Sequence, residues 1–248
     1  MITKTELDKL VEKYETKEFI ESDPIQLPHR YNSEEDIELV GFISSLFAFG
    51  SRKVFIKKLD FLFDKMQGMP VNYIKSGDFG ELKDFQYRFA KDVDIIGILT
   101  ILNKLYTESK GLKELFNYGY SEGKTIIKML KIFTDYFYAN ADKTVQSGFY
   151  FMLANPDNKG AMKRLNMYLR WMVRKSVVDF GIWDFVPKSE LLIPLDTHVA
   201  KISREMNLLT RKSNDFNAVL ELTNKLREFD PKDPVKYDFA IYAKGINS

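Results

Sequence analysis

Lys163, Asn166, Arg170 and Arg174 recur at helical spacing in Ala161–Arg174 and fall within about 80° of arc, one polar stripe on an otherwise apolar helix. Three of the four are cationic. Such a helix suits the wall of a cleft, and equally a buried helix whose single exposed edge is solvated by Lys and Arg. Further on, Leu195-Asp196-Thr197-His198-Val199 opens a second helix, with Leu195, Val199, Ile202 and Met206 as its core stripe. Asp196 then stands at a helix N-terminus, where an Asp cap contributes ~1 kcal/mol. The same place suits a reactive carboxylate: helix-end amides keep it ionised, and at a cleft edge it serves as a base or faces a developing cation. On these residues alone, the cap is the favoured role.

The charge distribution adds a second signal. Between Lys159 and Lys212, eleven basic residues stand against five acidic ones, leaving a net −4 on the rest of a chain whose total is +2. A basic third on an otherwise acidic protein is the footprint of a polyanion site, although a solvated charged face is the commoner cause of any one such run. The chain has no cysteine, which excludes thiol nucleophiles, disulfides, iron–sulfur clusters and cysteine-ligated zinc. With only His29 and His198 as histidines, a multi-histidine metal centre is excluded too, and we expect neither cofactor nor metal.

The elements that must carry these residues read as helices almost throughout. Apolar periodicity over the 248 residues predicts helices at Lys4–Phe19, Glu34–Phe49, Lys53–Met66, Val93–Glu108, Gly123–Asn140, Ala161–Arg174, Thr197–Asn207, Asp215–Phe229 and Pro234–Lys244, an all-α fold. Two stretches resist. Ser22–Tyr31 carries two prolines, and Lys175–Pro194 is an aromatic, irregular loop bounded by Pro187 and Pro194. Met1–Leu10 alternates charges with no apolar core behind it, unlike an export signal. Leu39–Gly50, the longest apolar stretch, falls short of the ~20 residues that span a bilayer, so a soluble cytoplasmic protein is expected.

Pro194-Leu195-Asp196-Thr197-His198-Val199 resembles the VDTH-type segment of the helix-hairpin-helix DNA glycosylases, the endonuclease III superfamily, in which that Asp is catalytic. Glu35–Leu62 resembles the superfamily's early helix pair and Lys236–Gly245 its closing helix. Asp23-Pro24 with Pro28–Tyr31, Lys163–Asn166 with Leu169–Lys175, the PLDTH run, and Asp230-Pro231 through Pro234–Ala240 are together similar to a bacterial family of unknown function. That second resemblance covers nearly all of the chain beyond residue 20. The glycine-rich hairpin of the superfamily is missing from Lys175–Pro194, where Gly181 is the one glycine, and Val178 lies near the place of the usual catalytic lysine. The archaeal 8-oxoguanine glycosylases fit better, with an altered hairpin and a lysine opening a helix about thirty residues before the Asp. Lys163, 33 residues before Asp196, occupies that place.

The resemblance implies a two-lobed helical fold, with residues 36–194 as a central bundle and residues 1–35 and 195–248 as a terminal lobe. It implies a monomer acting on damaged duplex DNA, removing a purine such as 8-oxoguanine, with Lys163 as nucleophile and Asp196 as base, with or without lyase activity. Burial and like charge beside Arg164 and Arg170 would push the Lys163 ammonium below its free pKa of ~10.4. Arg164, Asn166, Arg170, Arg174, Lys175, Lys201 and Arg204 would hold the DNA. Phe180, Trp183 and Phe185 either sandwich an extruded base or anchor their loop by packing. His29 and Arg30 either contact phosphate or, slightly favoured, brace the N-terminal segment, while His198 serves structure. The competing readings are a DNA- or RNA-binding module that kept the fold and lost the chemistry, favoured by the missing hairpin, and a protein-interaction scaffold.

Overall fold

A computed structural model of the chain describes residues 2–109 and 111–246. Its helices are α1 (Lys4–Tyr14), α2 (Lys17–Ile20), α3 (Glu34–Leu46), α4 (Arg52–Lys65), α5 (Pro70–Ser76), α6 (Asp92–Glu108), α7 (Leu112–Gly123), α8 (Ile126–Ala139), α9 (Ser147–Met152), α10 (Lys163–Val173), α11 (Thr197–Glu205), α12 (Phe216–Phe229) and α13 (Lys236–Ile246). Among the described residues there is no strand beyond isolated bridges, so the fold is all-α. No helix among them is long and apolar enough to cross a membrane.

The chain forms two compact units, Met1–Asp23 with Pro156–Ser248, and Pro24–Asn155. The boundaries therefore fall after Asp23 and Asn155, where the sequence suggested breaks after residues 35 and 194. Two physical reasons account for this. The short turns Pro24–Gln26 and Pro28–Arg30 bury Ile25, Leu27 and Pro28 and pack on α3. α10 carries two arginines whose counter-ions come from the terminal segments, described below.

In the Pro24–Asn155 unit, Ser33 caps α3 with its hydroxyl on the Asp36 amide at 3.4 Å, and three acids occupy the first turn. α7 was not expected from the sequence, because glycines at 111, 119 and 123 break up its pattern. Gly119 is there for packing: a Cβ would stand 3.1 Å from the Met129 carbonyl of α8, against which α7 lies. Phe116 stacks on Phe133 at 4.1 Å, and Phe42 and Phe137 close the ring cluster. Arg30 pairs with Asp60 at 2.8 Å and also reaches Gln26, which fits the bracing role; His29 is exposed.

In the other unit, α13 packs against α1 and α11. The single helix expected over Lys4–Phe19 is broken at Glu15, whose backbone leaves helical geometry (φ −83, ψ 74). Its carboxylate turns inward to Arg174. A long-range ion pair overrides local helical propensity here.

Candidate active site

Arg170 and Arg174 stand one turn apart on α10, each only 5% exposed. Arg170 donates from Nε to Asp179 Oδ1 at 3.2 Å and from Nη1 to Asp238 Oδ2 at 2.5 Å, with its guanidinium 5.6 Å from the Phe239 ring centroid. Arg174 donates from Nε to both Asp233 oxygens at 3.0 and 3.2 Å, from Nη1 to Asp179 Oδ2 at 2.9 Å, and to Glu15 through both terminal nitrogens. Lys188 reaches Asp233 at 3.3 Å from the more exposed side. The expectation that Arg170 and Arg174 grip DNA phosphates is corrected by this geometry. Each would have to abandon buried carboxylates, at several kcal/mol, to reach a phosphate. The Arg170 and Arg174 part of the polar stripe of α10 thus faces a charged interior instead of a cleft or solvent.

The irregular loop exists to deliver Asp179. The Ser176 hydroxyl accepts the amides of Val178 and Asp179 at 3.1 and 3.0 Å, and a lone bridge joins Lys175 to Phe180. Amides of Phe180 and Trp183 then donate to the Trp171 and Met172 carbonyls at 2.9 and 2.8 Å, satisfying acceptors that the end of α10 leaves open. Gly181 is at φ +61, and a Cβ there would lie 2.5 Å from the Lys175 side chain, so only glycine closes this turn. Trp183 is buried edge-on to Tyr168 at 5.3 Å and tilted against Phe185. It anchors the loop by packing and offers no face to an extruded base; Phe180 and Phe185 are half-buried.

Lys163 opens α10, immediately after Met162, a buried non-glycine residue in the left-handed region at φ +47. It keeps some exposed surface, but protein closely surrounds its charged end, and this desolvation pushes its pKa below the ordinary 10.5. The positive end of the α10 dipole acts in the same direction. Of the charges opposing that shift, Asp196 is foremost, followed by Asp23 and Asp238. Asp196 is the N-cap of α11: its Oδ1 accepts the His198 and Val199 amides, both at 2.9 Å. Two helix N-termini therefore bring a desolvated amine into the field of a capped carboxylate.

The other candidates scatter. Asn166 is buried and donates to the Ala161 carbonyl at 3.2 Å, which turns it away from a DNA role. Arg164 is half-buried, and desolvation takes its pKa down to about 10. Arg204 is spent on the Arg211 and Lys212 carbonyls, both at 2.9 Å, and on Asn214, so it pins a loop instead of extending a DNA track. Lys175 and Lys201 are exposed, with Glu205 at 3.9 Å from Lys201. His198 is exposed and meets Tyr242 edge-on at 6.4 Å.

Sequence reading missed Glu15, Asp179, Asp233 and Asp238. Their signal was indirect: two arginines on one face of a greasy helix require counter-ions somewhere. Four carboxylates meet two guanidiniums and Lys188, which leaves one negative charge in surplus, and a proton on Asp238 absorbs it. Burial pushes its pKa up, against the pull of Arg170 and helped by the charge of Asp196, to about 7. Its Oδ1 is buried with no hydrogen bond. A folded-state pKa raised from 3.8 to about 7 means that the stability it contributes is complete below 3.8 and is lost as pH climbs to 7. Asp238→Asn has no such titration. The stability of the native protein relative to this variant is therefore expected to fall between these pH values, by up to about 4 kcal/mol, in urea denaturation at a series of pH values. A flat difference would place the proton elsewhere.

The described residues form an all-helical protein with a buried cluster of Arg170 and Arg174 among Glu15, Asp179, Asp233 and Asp238. The chain belongs to the family described as protein of unknown function (DUF2400), which matches residues 23–247. No curated protein and no solved structure matches it.

Proposed function

We propose that the protein is a DNA base-excision glycosylase of the helix-hairpin-helix type, acting on a damaged purine such as 8-oxoguanine, with Lys163 as nucleophile and Asp196 as base. The observation that carries this reading is the depressed pKa of Lys163 in a position where Asp196 is the leading counter-charge. A free lysine is protonated at neutral pH and has no lone pair to offer; desolvation and a helix N-terminus both favour the neutral amine. In the reaction, Nζ attacks C1′ of the damaged nucleotide as the bond from C1′ to the base breaks, the base leaving with the bonding electrons and taking up, by way of Asp196, the proton that Nζ sheds. Asp196 accepts the proton that Nζ sheds and faces the cationic sugar carbon meanwhile. The sugar ring then opens as the C1′–O4′ bond breaks and O4′ takes up the remaining proton of Nζ, leaving an imine on Nζ, the species that a lyase step requires. The exposed Lys175 and Lys201 would carry phosphate contacts, with Arg164 beside the nucleophile.

The test is borohydride trapping on duplexes that carry 8-oxoguanine, uracil or an abasic site. The native protein is expected to form a covalent adduct on at least one. Asp196→Asn separates chemistry from architecture, because Asn caps a helix nearly as well as Asp. This variant should melt as the native protein does and lose about a hundredfold or more in adduct formation. Full activity in Asp196→Asn removes Asp196 from the mechanism. Salt-dependent retention of DNA with no adduct from the native protein would identify a binding module instead.

A further inference from the structure

α4 has two unlike faces. Phe55, Leu59, Leu62 and Phe63 are buried, whereas Val54, Lys57, Lys58, Phe61 and Lys65 follow the opposite stripe at helical spacing. Phe61 is 46% exposed. Beside this stripe runs the segment 81–85, whose Phe85 ring lies nearly parallel to Phe61, with centroids 5.9 Å apart and an interplanar angle of 16°. Between them is a cavity of about 440 Å³, lined by Val54, Lys57, Lys58, Phe61, Lys83 and Phe85 with two acids, Glu81 and Asp84. That volume lies within the range of small-molecule sites.

Its charges are not balanced. Lys65 lies 3.1 Å from Glu81 and cancels it, leaving three lysines against Asp84. Lys58 lies over the Phe85 ring, 5.4 Å from its centroid, and Lys65 over the Phe61 ring at 5.4 Å, so cations already sit against both rings. A partly exposed aromatic ring among cations matches a planar ring joined to an anion. A purely acidic peptide would make no use of the exposed ring, and an apolar ligand none of the lysines.

We propose that this pocket binds a nucleotide, with its base stacked on Phe61 and its phosphate held by Lys57, Lys58 and Lys83. Asp84 supplies an acceptor for an amino group on the base. The nucleotide is either free or an unpaired residue of a single strand. The proposal goes beyond the glycosylase reading and needs neither Lys163 nor Asp196.

The experiment is fluorescence anisotropy of labelled single-stranded oligo(dA) at low salt, with AMP as competitor. Base stacking makes Phe61→Ala expected to weaken binding at least about fivefold and Phe61→Tyr to restore it. The double variant Lys57→Gln/Lys58→Gln should weaken binding and flatten its salt dependence. Competition by AMP as effective as by unlabelled oligonucleotide, per nucleotide, assigns the site to a free nucleotide; binding of the strand alone assigns it to nucleic acid. No binding of either ligand, or unchanged binding in both the Phe61→Ala and the lysine variants, overturns the proposal. Lys163→Met is expected to bind oligo(dA) as the native protein does, so failure of the glycosylase reading and failure of this one are told apart in the same series.

Discussion

Lys163→Met is expected to abolish the borohydride-trapped adduct and to slow base release at least about a hundredfold, while the protein stays folded. Trapping requires a primary amine: an imine on the sugar carbon takes up hydride and becomes a stable amine link. Methionine is unbranched like lysine, one atom shorter, and offers no amine. A hundredfold loss asks this one group for about 2.7 kcal/mol of barrier lowering. Folding should survive, because replacing a desolvated ammonium by a thioether removes a buried charge and its solvation cost. Lys163→Arg is the sharper control: it keeps the positive charge yet cannot supply a neutral nucleophile at any pH at which the protein is folded. The same chemistry fixes the pH dependence. The rate rises with pH as the ammonium loses its proton, and this limb lies below the ordinary lysine value of 10.5, because burial lowers the pKa of Lys163. Native-level trapping by both variants would assign the nucleophile to another amine.

Most of the helices were legible because their apolar faces repeat at 3.6 residues and their ends carry caps. α10, α11 and α12 fall within a few residues of expectation, and Asp196 caps as its position suggests; Asp215, read as the first helical residue, is the cap of α12. What escaped is non-local. α7 escaped because Gly119 serves contact with α8, and its benefit appears only once that helix is in place. The break at Glu15 escaped because its cause lies 159 residues away, at Arg174. The α10 stripe was visible as a pattern, but periodicity gives the face on which Arg170 and Arg174 lie and is silent on whether water or carboxylates meet them. Lys163 and Asp196 are a different case. Spacing alone could not couple them across 33 residues; the resemblance did, and the electrostatics of the folded chain put Asp196 first among the charges that act on Lys163.

Arg174→Met is expected to destabilise the protein by about 3–5 kcal/mol, the range for removing one partner of a buried ion pair. Arg174 is held well above its ordinary pKa by Glu15, Asp179 and Asp233 in spite of its burial, so those three carboxylates lose their principal shared cation together. For a chain of this size the melting temperature should drop by roughly 6–20 °C. The sign of its pH dependence follows from Glu15. Burial alone would raise the Glu15 pKa, but its bonds to Arg174 prevail and hold it below 4.5. The stability from that pair is therefore present above 4.5 and is lost as pH falls through the lowered value, so the gap between native and Arg174→Met proteins narrows in acid. Arg174→Lys should fall between the two, because an ammonium keeps the charge and cannot serve several carboxylates through a planar fork. An arginine facing DNA would behave in the opposite way: its loss would leave the melting temperature unchanged and weaken retention on DNA. The 5% exposure of Arg174 and its bonds to Glu15, Asp179 and Asp233 place it with the architecture.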